Sequence, residues 1–251
     1  MMTSIPDAQV EILPDPEALA HRVADWLLAM AVDTNGRFSV ALSGGSTPRR
    51  LYELLATSPY REAFPWSRTH WFWGDERFVP HDSLDSNYRM VREAMLARVA
   101  IPPGNIHPIP TQTISSEQSA RAYESELKNY YGSEQLKSRQ PLFDVTFLGL
   151  GPEGHIASLF PGTPALEERS HWVRAVIGAK PEPRVTLTYP VLESSRVIAF
   201  LVTGGQKRPV LEQLFAGNEE LPAARIHPTA GELRFFLDRA AAPREISGKG
   251  L

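Results

Sequence analysis

The sequence predicts an α/β fold with a largely parallel sheet flanked by helices. Three observations carry that prediction. Short apolar runs of strand length alternate with amphipathic stretches of helical period. Glycine-rich turns follow several of these runs directly, as connections from strand to helix do. No repeat, low-complexity tract or clean linker breaks the alternation, so one domain over residues 1–251 is expected. The proline-rich stretch 101–115 is the single candidate boundary and reads as a loop.

The elements follow in order. Asp15 and Pro16 open a helix: aspartate caps the free N–H groups and proline suits the first position. Leu19, Val23, Trp26, Leu27 and Met30 then recur at helical spacing, and Asn35-Gly36 ends the segment as a turn. Phe38 to Leu42 is a buried strand that runs straight into SGGSTP and a helix through Leu51, Leu54 and Leu55. Thr69 to Trp73 is a second strand, followed by a GDERFVP loop and a helix from Ser86 to Val99. Ser116 to Tyr131 is helical, with Gly132 as its stop. Phe143 to Leu150 is the strongest strand and feeds the loop GPEGHIASLFPG. Further strands are expected at Trp172 to Ile177, Val185 to Thr188, Val197 to Thr203 and Leu233 to Leu237, with a helix at Pro209 to Phe215. The last eight residues read as loose.

Composition narrows the function. Apolar residues make up 42% and charged residues 22%, which supports an ordinary core. A net charge of −3 argues against nucleic acid as the main partner, while a small anion needs only a local positive pocket. With no cysteine, disulfides, thiolate metal sites and cysteine nucleophiles are excluded. The N-terminal MMTSIPDAQV has neither the basic nor the apolar region of a secretory signal. The apolar stretch Ala18 to Val32 contains His21, Arg22 and Asp25, too short and too charged to span a bilayer. A cytoplasmic protein without a membrane partner is expected. Its oligomeric state is open, and a monomer fits.

Three loops carry candidate chemistry. In the first, Gly44 and Gly45 let backbone N–H groups approach an anion, Ser43, Ser46 and Thr47 add hydroxyls, and the following helix presents its positive end. The same residues also make an ordinary tight turn, and the lysine of a Walker loop is missing. In the second, Arg77 offers a fork for phosphate or carboxylate, with Asp75 and Glu76 to orient it. Ser86 and Asn87 then suit a helix cap. In the third, His155 stands just past the most buried strand with Glu153 two residues before it, a pairing that fits a general base. A packed structural histidine is the plainer alternative. Arg184 and Lys207 sit at strand ends where ligand-facing loops are expected, or are solvated charges. No His-x-x-x-His zinc pair and no Gly-x-Ser-x-Gly elbow is present. Gly149 to Gly154 fits the bare Gly-x-Gly-x-x-Gly pattern, but a histidine follows it and Pro161-Gly162 interrupts any helix.

Together these segments resemble the 6-phosphogluconolactonase family: SGGSTP at 43–48, GDERFVP at 74–80, SNY at 86–88, LGLGPEGHIASLFPG at 148–162, PEPRVTLT at 181–188 and TGGQK at 203–207. The resemblance implies a Rossmann-like α/β fold related to glucosamine-6-phosphate deaminase and ribose-5-phosphate isomerase. It implies hydrolysis of a phosphorylated sugar lactone, with no metal or organic cofactor. Glu153 stands where the family often has aspartate. On this reading His155 is the catalytic base and acid, Glu153 its orienting partner, and Ser43, Gly44, Gly45, Ser46, Thr47, Asp75, Arg77, Asn87, Arg184 and Lys207 bind substrate or its phosphate. An amino-sugar-phosphate deaminase would carry an acid soon after its histidine, where this chain has Ser158-Leu159-Phe160-Pro161. A non-catalytic sugar-phosphate sensor would keep the cradle without turnover. In an interaction domain, Trp66, Trp71 and Trp73 would form a partner surface rather than core.

Overall fold

A computed structural model describes residues 8–112 and 115–244. The expectations for the first seven residues and for the tail beyond Arg244 lie outside the described residues. In chain order the main elements are β1 (Gln9–Leu13), α1 (Pro16–Asp33), β2 (Phe38–Leu42), α2 (Ser46–Leu55), α3 (Tyr60–Ala63), β3 (Thr69–Trp73), β4 (Asp75–Arg77), α4 (Asn87–Ala94), β5 (Ile106–His107), α5 (Ser116–Tyr131), β6 (Phe143–Leu148), β7 (Val173–Val176), β8 (Arg184–Leu187), α6 (Tyr189–Glu193), β9 (Ser195–Val202), α7 (Arg208–Phe215) and β10 (Glu232–Asp238).

Seven strands form one parallel sheet in the order β1-β10-β9-β6-β2-β3-β5. The central strands are buried on both faces, which is why they read as continuous apolar runs rather than alternating ones. Trp71, Phe72 and Trp73 of β3 and Phe143 and Phe147 of β6 are fully enclosed. Trp66 is buried too and packs with Phe64 and Trp71. The tryptophans are therefore core, not a partner surface.

The helices form where capping and periodicity place them. Asp15 accepts the N–H of Ala18 at 2.8 Å, and Leu19, Val23, Trp26 and Leu27 of α1 face inward. α1 packs on α2, β1 and β10, and α2 also contacts α4 and β9. Gly132 closes α5 in the left-handed conformation.

Three expectations need correction, and one strand was missed. GDERFVP is not simply a loop: its first residues form β4, which pairs antiparallel with β8, and β8 pairs antiparallel with β7. This makes a second, three-stranded sheet. The helix expected from Ser86 to Val99 stops at Ala94 and yields to a 3₁₀ turn at Leu96–Arg98. The 101–115 stretch contains a 3₁₀ turn and the two-residue β5, which adds to the sheet edge beside β3. β1 was not anticipated; it is a half-exposed edge strand with Glu11 in its middle.

One residue joins the two sheets. Gly74 donates its N–H to Leu42 O in the large sheet, and its carbonyl accepts the N–H of Leu187 in the small one, both at 2.9 Å. The second sheet thus begins where β3 ends, and it walls the crevice at the carboxyl ends of the parallel strands.

Candidate active site

β2 and β6 are neighbours in the sheet, yet the chain proceeds from β2 toward β3 and β5 and from β6 toward β9 and β10. Loops that diverge from such a pair leave a crevice at the strand ends. Here it is a cavity of about 390 Å³. Ser43 to Thr47, Asp75, Arg77, Asn87, His155, Arg184 and Lys207 all line it. Of the residues expected at the site, only Glu153 does not; it stands behind His155.

The first loop is held from below. Nearly two turns into α2, the buried Tyr52 hydroxyl accepts the Ser43 N–H at 3.1 Å and donates to the Ser43 carbonyl at 2.9 Å. Thr47 Oγ1 meets Thr203 Oγ1 at 2.7 Å, tying α2 to the end of β9. No side chain caps α2, so the first-turn N–H groups keep their capacity for an anion. A Cβ on Gly44 would run into the Asn87 amide, which donates to the Asp75 carbonyl at 3.0 Å. Ser86 is the N-cap residue of α4, accepting the Arg89 N–H, which frees the Asn87 side chain for the cavity.

The carboxylates differ from expectation. Asp75 accepts the Ser158 hydroxyl at 2.6 Å. Glu76, on the opposite face of β4, accepts N–H groups of Arg77, Asn87 and Tyr88 and the Ser86 hydroxyl, at 2.7 to 3.1 Å. Burial pushes the Glu76 carboxyl up to about 7 against those backbone donors. Neither acid orients Arg77; its guanidinium donates to the Asp85 carbonyl at 2.5 Å instead.

The cations are poorly satisfied. Arg77 and Arg184 are cross-strand partners on β4 and β8, and like charges so placed repel. Among the described residues Arg184 has Glu182 at 3.7 Å as its one acidic partner, and its buried Nε has none. Burial, and then Arg77, disfavours the Arg184 charge. Lys207 donates to the Leu150 carbonyl at 2.7 Å, and burial lowers its pKa as well.

His155 is wedged between loop backbone and an aromatic ring. A side chain on Gly151 would overlap the imidazole, and the Phe160 ring centre lies 4.6 Å away on another side. Nδ1 sits 3.1 Å from Glu153 Oε2, an ion-pair distance without the angle of a good hydrogen bond. Glu153 Oε1 accepts Lys180 Nζ at 3.0 Å. Burial opposes the Glu153 charge, but its own backbone N–H, Lys180 and His155 outweigh that and hold the carboxyl down at about 2. Burial lowers the His155 pKa, more than Glu153 and Asp75 raise it. The imidazole is therefore neutral near neutral pH, with Nε2 as the nitrogen left for the cavity. Ala157, also in the wall, takes a φ of 46°, which costs about 1 kcal/mol for a residue with a side chain.

Sequence reasoning missed Lys180, Ser158 and Phe160 as site residues. Lys180 had a signal: it lies four residues ahead of Arg184 in the same segment. Ser158 had none, since its partner Asp75 is distant in sequence. Among the described residues no three His, Asp or Glu side chains are grouped to hold a metal ion.

Fold and site define a class: α/β proteins in which a glycine-rich loop opening a helix and a histidine meet at the strand ends of a parallel sheet. Within that class the chain belongs to the family of glucosamine-6-phosphate isomerases and 6-phosphogluconolactonase, whose model matches residues 14–235. It is 43% identical over 245 residues to a 6-phosphogluconolactonase of Nostoc sp., covering 95% of this chain and 98% of that one. The solved 6-phosphogluconolactonase from Trypanosoma cruzi superimposes with a TM-score of 0.82 at 29% identity, over 94% of this chain and 96% of that one. A monomeric glucosamine-6-phosphate deaminase matches with a TM-score of 0.78 at 21% identity, over 93% and 98%. That likeness is one of fold, and it bears out the expected structural kinship with the deaminase.

Proposed function

We propose that this chain hydrolyses 6-phospho-D-glucono-1,5-lactone to 6-phospho-D-gluconate, the lactone-opening step of the oxidative pentose phosphate pathway. One observation carries the reading: a single cavity combines a neutral, wedged imidazole with an uncapped helix end and a half-buried Arg184 whose Nε is unpartnered among the described residues. A phosphate dianion supplies what the α2 N-terminus, Arg184 and Lys207 lack, and Ser46 and Thr47 add hydroxyls. Holding this remote group positions the lactone carbonyl for attack.

In this reading His155 Nε2 takes a proton from water as its oxygen adds to the carbonyl carbon. Backbone N–H groups of the glycine-rich loops stabilise the resulting oxyanion. The C1–O5 bond then breaks, and the ring oxygen leaves with the proton from the imidazolium. Glu153 at Nδ1 fixes the tautomer that leaves Nε2 unprotonated. The deaminase alternative would carry an acid just after its histidine, where this chain has Ser158, Leu159 and Phe160, the last packed on the imidazole.

The test is hydrolysis of freshly generated lactone at mildly acidic pH, where the spontaneous reaction is slow. Wild type and His155→Ala are compared, with and without chelator. Chelator-insensitive acceleration that disappears in the variant is expected. Tight binding of 6-phosphogluconate without acceleration would replace the reading by a sensor.

A further inference from the structure

Glu153 has one carboxylate oxygen on each of two partners. Oε2 lies 3.1 Å from His155 Nδ1, and Oε1 accepts Lys180 Nζ at 3.0 Å. Lys180 comes from the 177–183 segment between β7 and β8, far in sequence from the histidine loop. It also sits 5.1 Å from the centre of the Phe160 ring, the ring that flanks His155. Glutamate and phenylalanine thus each touch both the lysine and the histidine. No other ion pair of Lys180 exists among the described residues, so its charge is committed to Glu153.

We propose that Lys180 is a positioning residue for His155, acting through Glu153 as a clamp that fixes the carboxylate's direction. The inference rests on the proposed role of His155 in lactone hydrolysis. A carboxylate held at one oxygen only rotates about its terminal torsion, which is a soft, two-fold one. The second hold removes that freedom and keeps Oε2 facing Nδ1. The glutamate arm suits this double reach, since its extra methylene extends the carboxylate beyond an aspartate's range.

The charge of Lys180 has a second consequence. The groups acting on the imidazole are Glu153 on its own loop, Asp75 on β4, and Lys180; Lys207 acts in turn on Glu153. Glu153 and Asp75 favour the imidazolium, while Lys180 opposes it. With the ammonium gone Glu153 is free to turn from Nδ1, and its larger favouring effect on the imidazolium goes with it, so His155 gives up its proton at lower pH.

The experiment uses the full chain with Lys180→Met, Lys180→Arg and Glu153→Asp, alone and combined. Two readouts are taken. The first is kcat and kcat/KM for lactone hydrolysis from pH 5.5 to 7.5. The second is NMR titration of the His155 ring, assigned by the loss of its signal in His155→Gln. Lys180→Met is expected to lower kcat several-fold and to move both the acid limb and the ring titration down by about half a pH unit. Lys180→Arg restores both. In the Glu153→Asp background the lysine substitution moves the titration far less, because the shorter arm no longer bridges.

A raised KM with an unmoved pH profile would overturn the clamp and make Lys180 a direct substrate contact. An unmoved ring titration would overturn it as well. A titration that moves while wild type shows no hydrolysis would uphold the clamp and reject the lactonase reading, so the two failures stay distinct. Backbone amide spectra that overlay with wild type establish that Lys180→Met is folded.

Discussion

The loops after β2 and after β6 leave adjacent strands and face one cavity, but they are built differently. The first is short and runs directly into α2, so it offers backbone N–H groups pre-aligned by a helix. Its side chains are small, and Tyr52 grips its backbone from beneath. The second is long, starts no helix at once, and folds back on itself, with Gly151 N–H donating to the His155 carbonyl at 2.9 Å. It carries a side chain that can exchange protons, with an acid and a ring to steer it. The comparison separates holding from reacting: a helix end is suited to a fixed charge, and an irregular loop to an imidazole aimed from a chosen direction.

The largest test of that division is His155→Ala. It is expected to lower kcat by roughly 10²–10⁴-fold with KM little changed, in steady-state kinetics on the lactone. Near-normal turnover would remove the chemistry from the second loop. Next come paired glycine substitutions. Gly151→Ala drives a Cβ into the imidazole and is expected to reduce kcat by about tenfold or more, as misplacement of a catalytic group does. Gly44→Ala drives one into Asn87 and is expected to act mainly on KM. If both changed the same constant, the two loops would not be distinct in role.

Arg184→Met tests the holding side from the second sheet. Loss of a charge-assisted contact to phosphate costs about 1.5–3 kcal/mol, so KM is expected to rise by about 10–100-fold with kcat largely kept. A kcat effect alone would move Arg184 to the reacting centre.

Acidity separates the loops more gently. The His155 pKa is lowered by burial, so the base form is expected to persist below pH 6.5 and the acid limb of kcat/KM to fall beneath that value. Stability has the matching sign. Below pH 6.5 the unfolded chain gains a proton on this histidine before the folded one does, so stability declines as pH drops through that window. Glu153, held near 2 in the fold, adds stability above its ordinary 4.5 that is lost as pH falls toward 2. Denaturant unfolding at stepped pH, with His155→Gln as reference, measures the histidine's part. The smallest expected effect is remote from either loop: Asp15→Ala should cost about 1 kcal/mol of stability and leave kinetics alone.

Much of the molecule was legible before its structure. The cap at Asp15, the apolar runs of β2 and β6 and the stop at Gly132 are local signals that the fold simply obeys. β4 was not legible, because Asp75, Glu76 and Arg77 read as a charged loop and become a strand only by pairing with β8. β5 was hidden for a similar reason: two residues in a proline-rich stretch join the sheet through the edge of β3. In the site, the residues carried by recognisable loops were found. What sequence could not give was pairing across loops. It set Asp75 and Glu76 on Arg77, whereas Ser158 takes the first and the start of α4 takes the second. It saw Glu153 beside His155 but not the lysine that shares that carboxylate.

The single residue Gly74 belongs by its hydrogen bonds to both sheets, and the cavity lies along the seam it begins. Large apolar side chains fill the parallel sheet, whereas β4 is three residues long and bears charges. The seam is therefore expected to loosen on heating before the core of the parallel sheet does. Catalysis should fade on heating before the core melts, and a bound phosphate ester, reaching from the α2 end to Arg184, would act as a stitch across the joint.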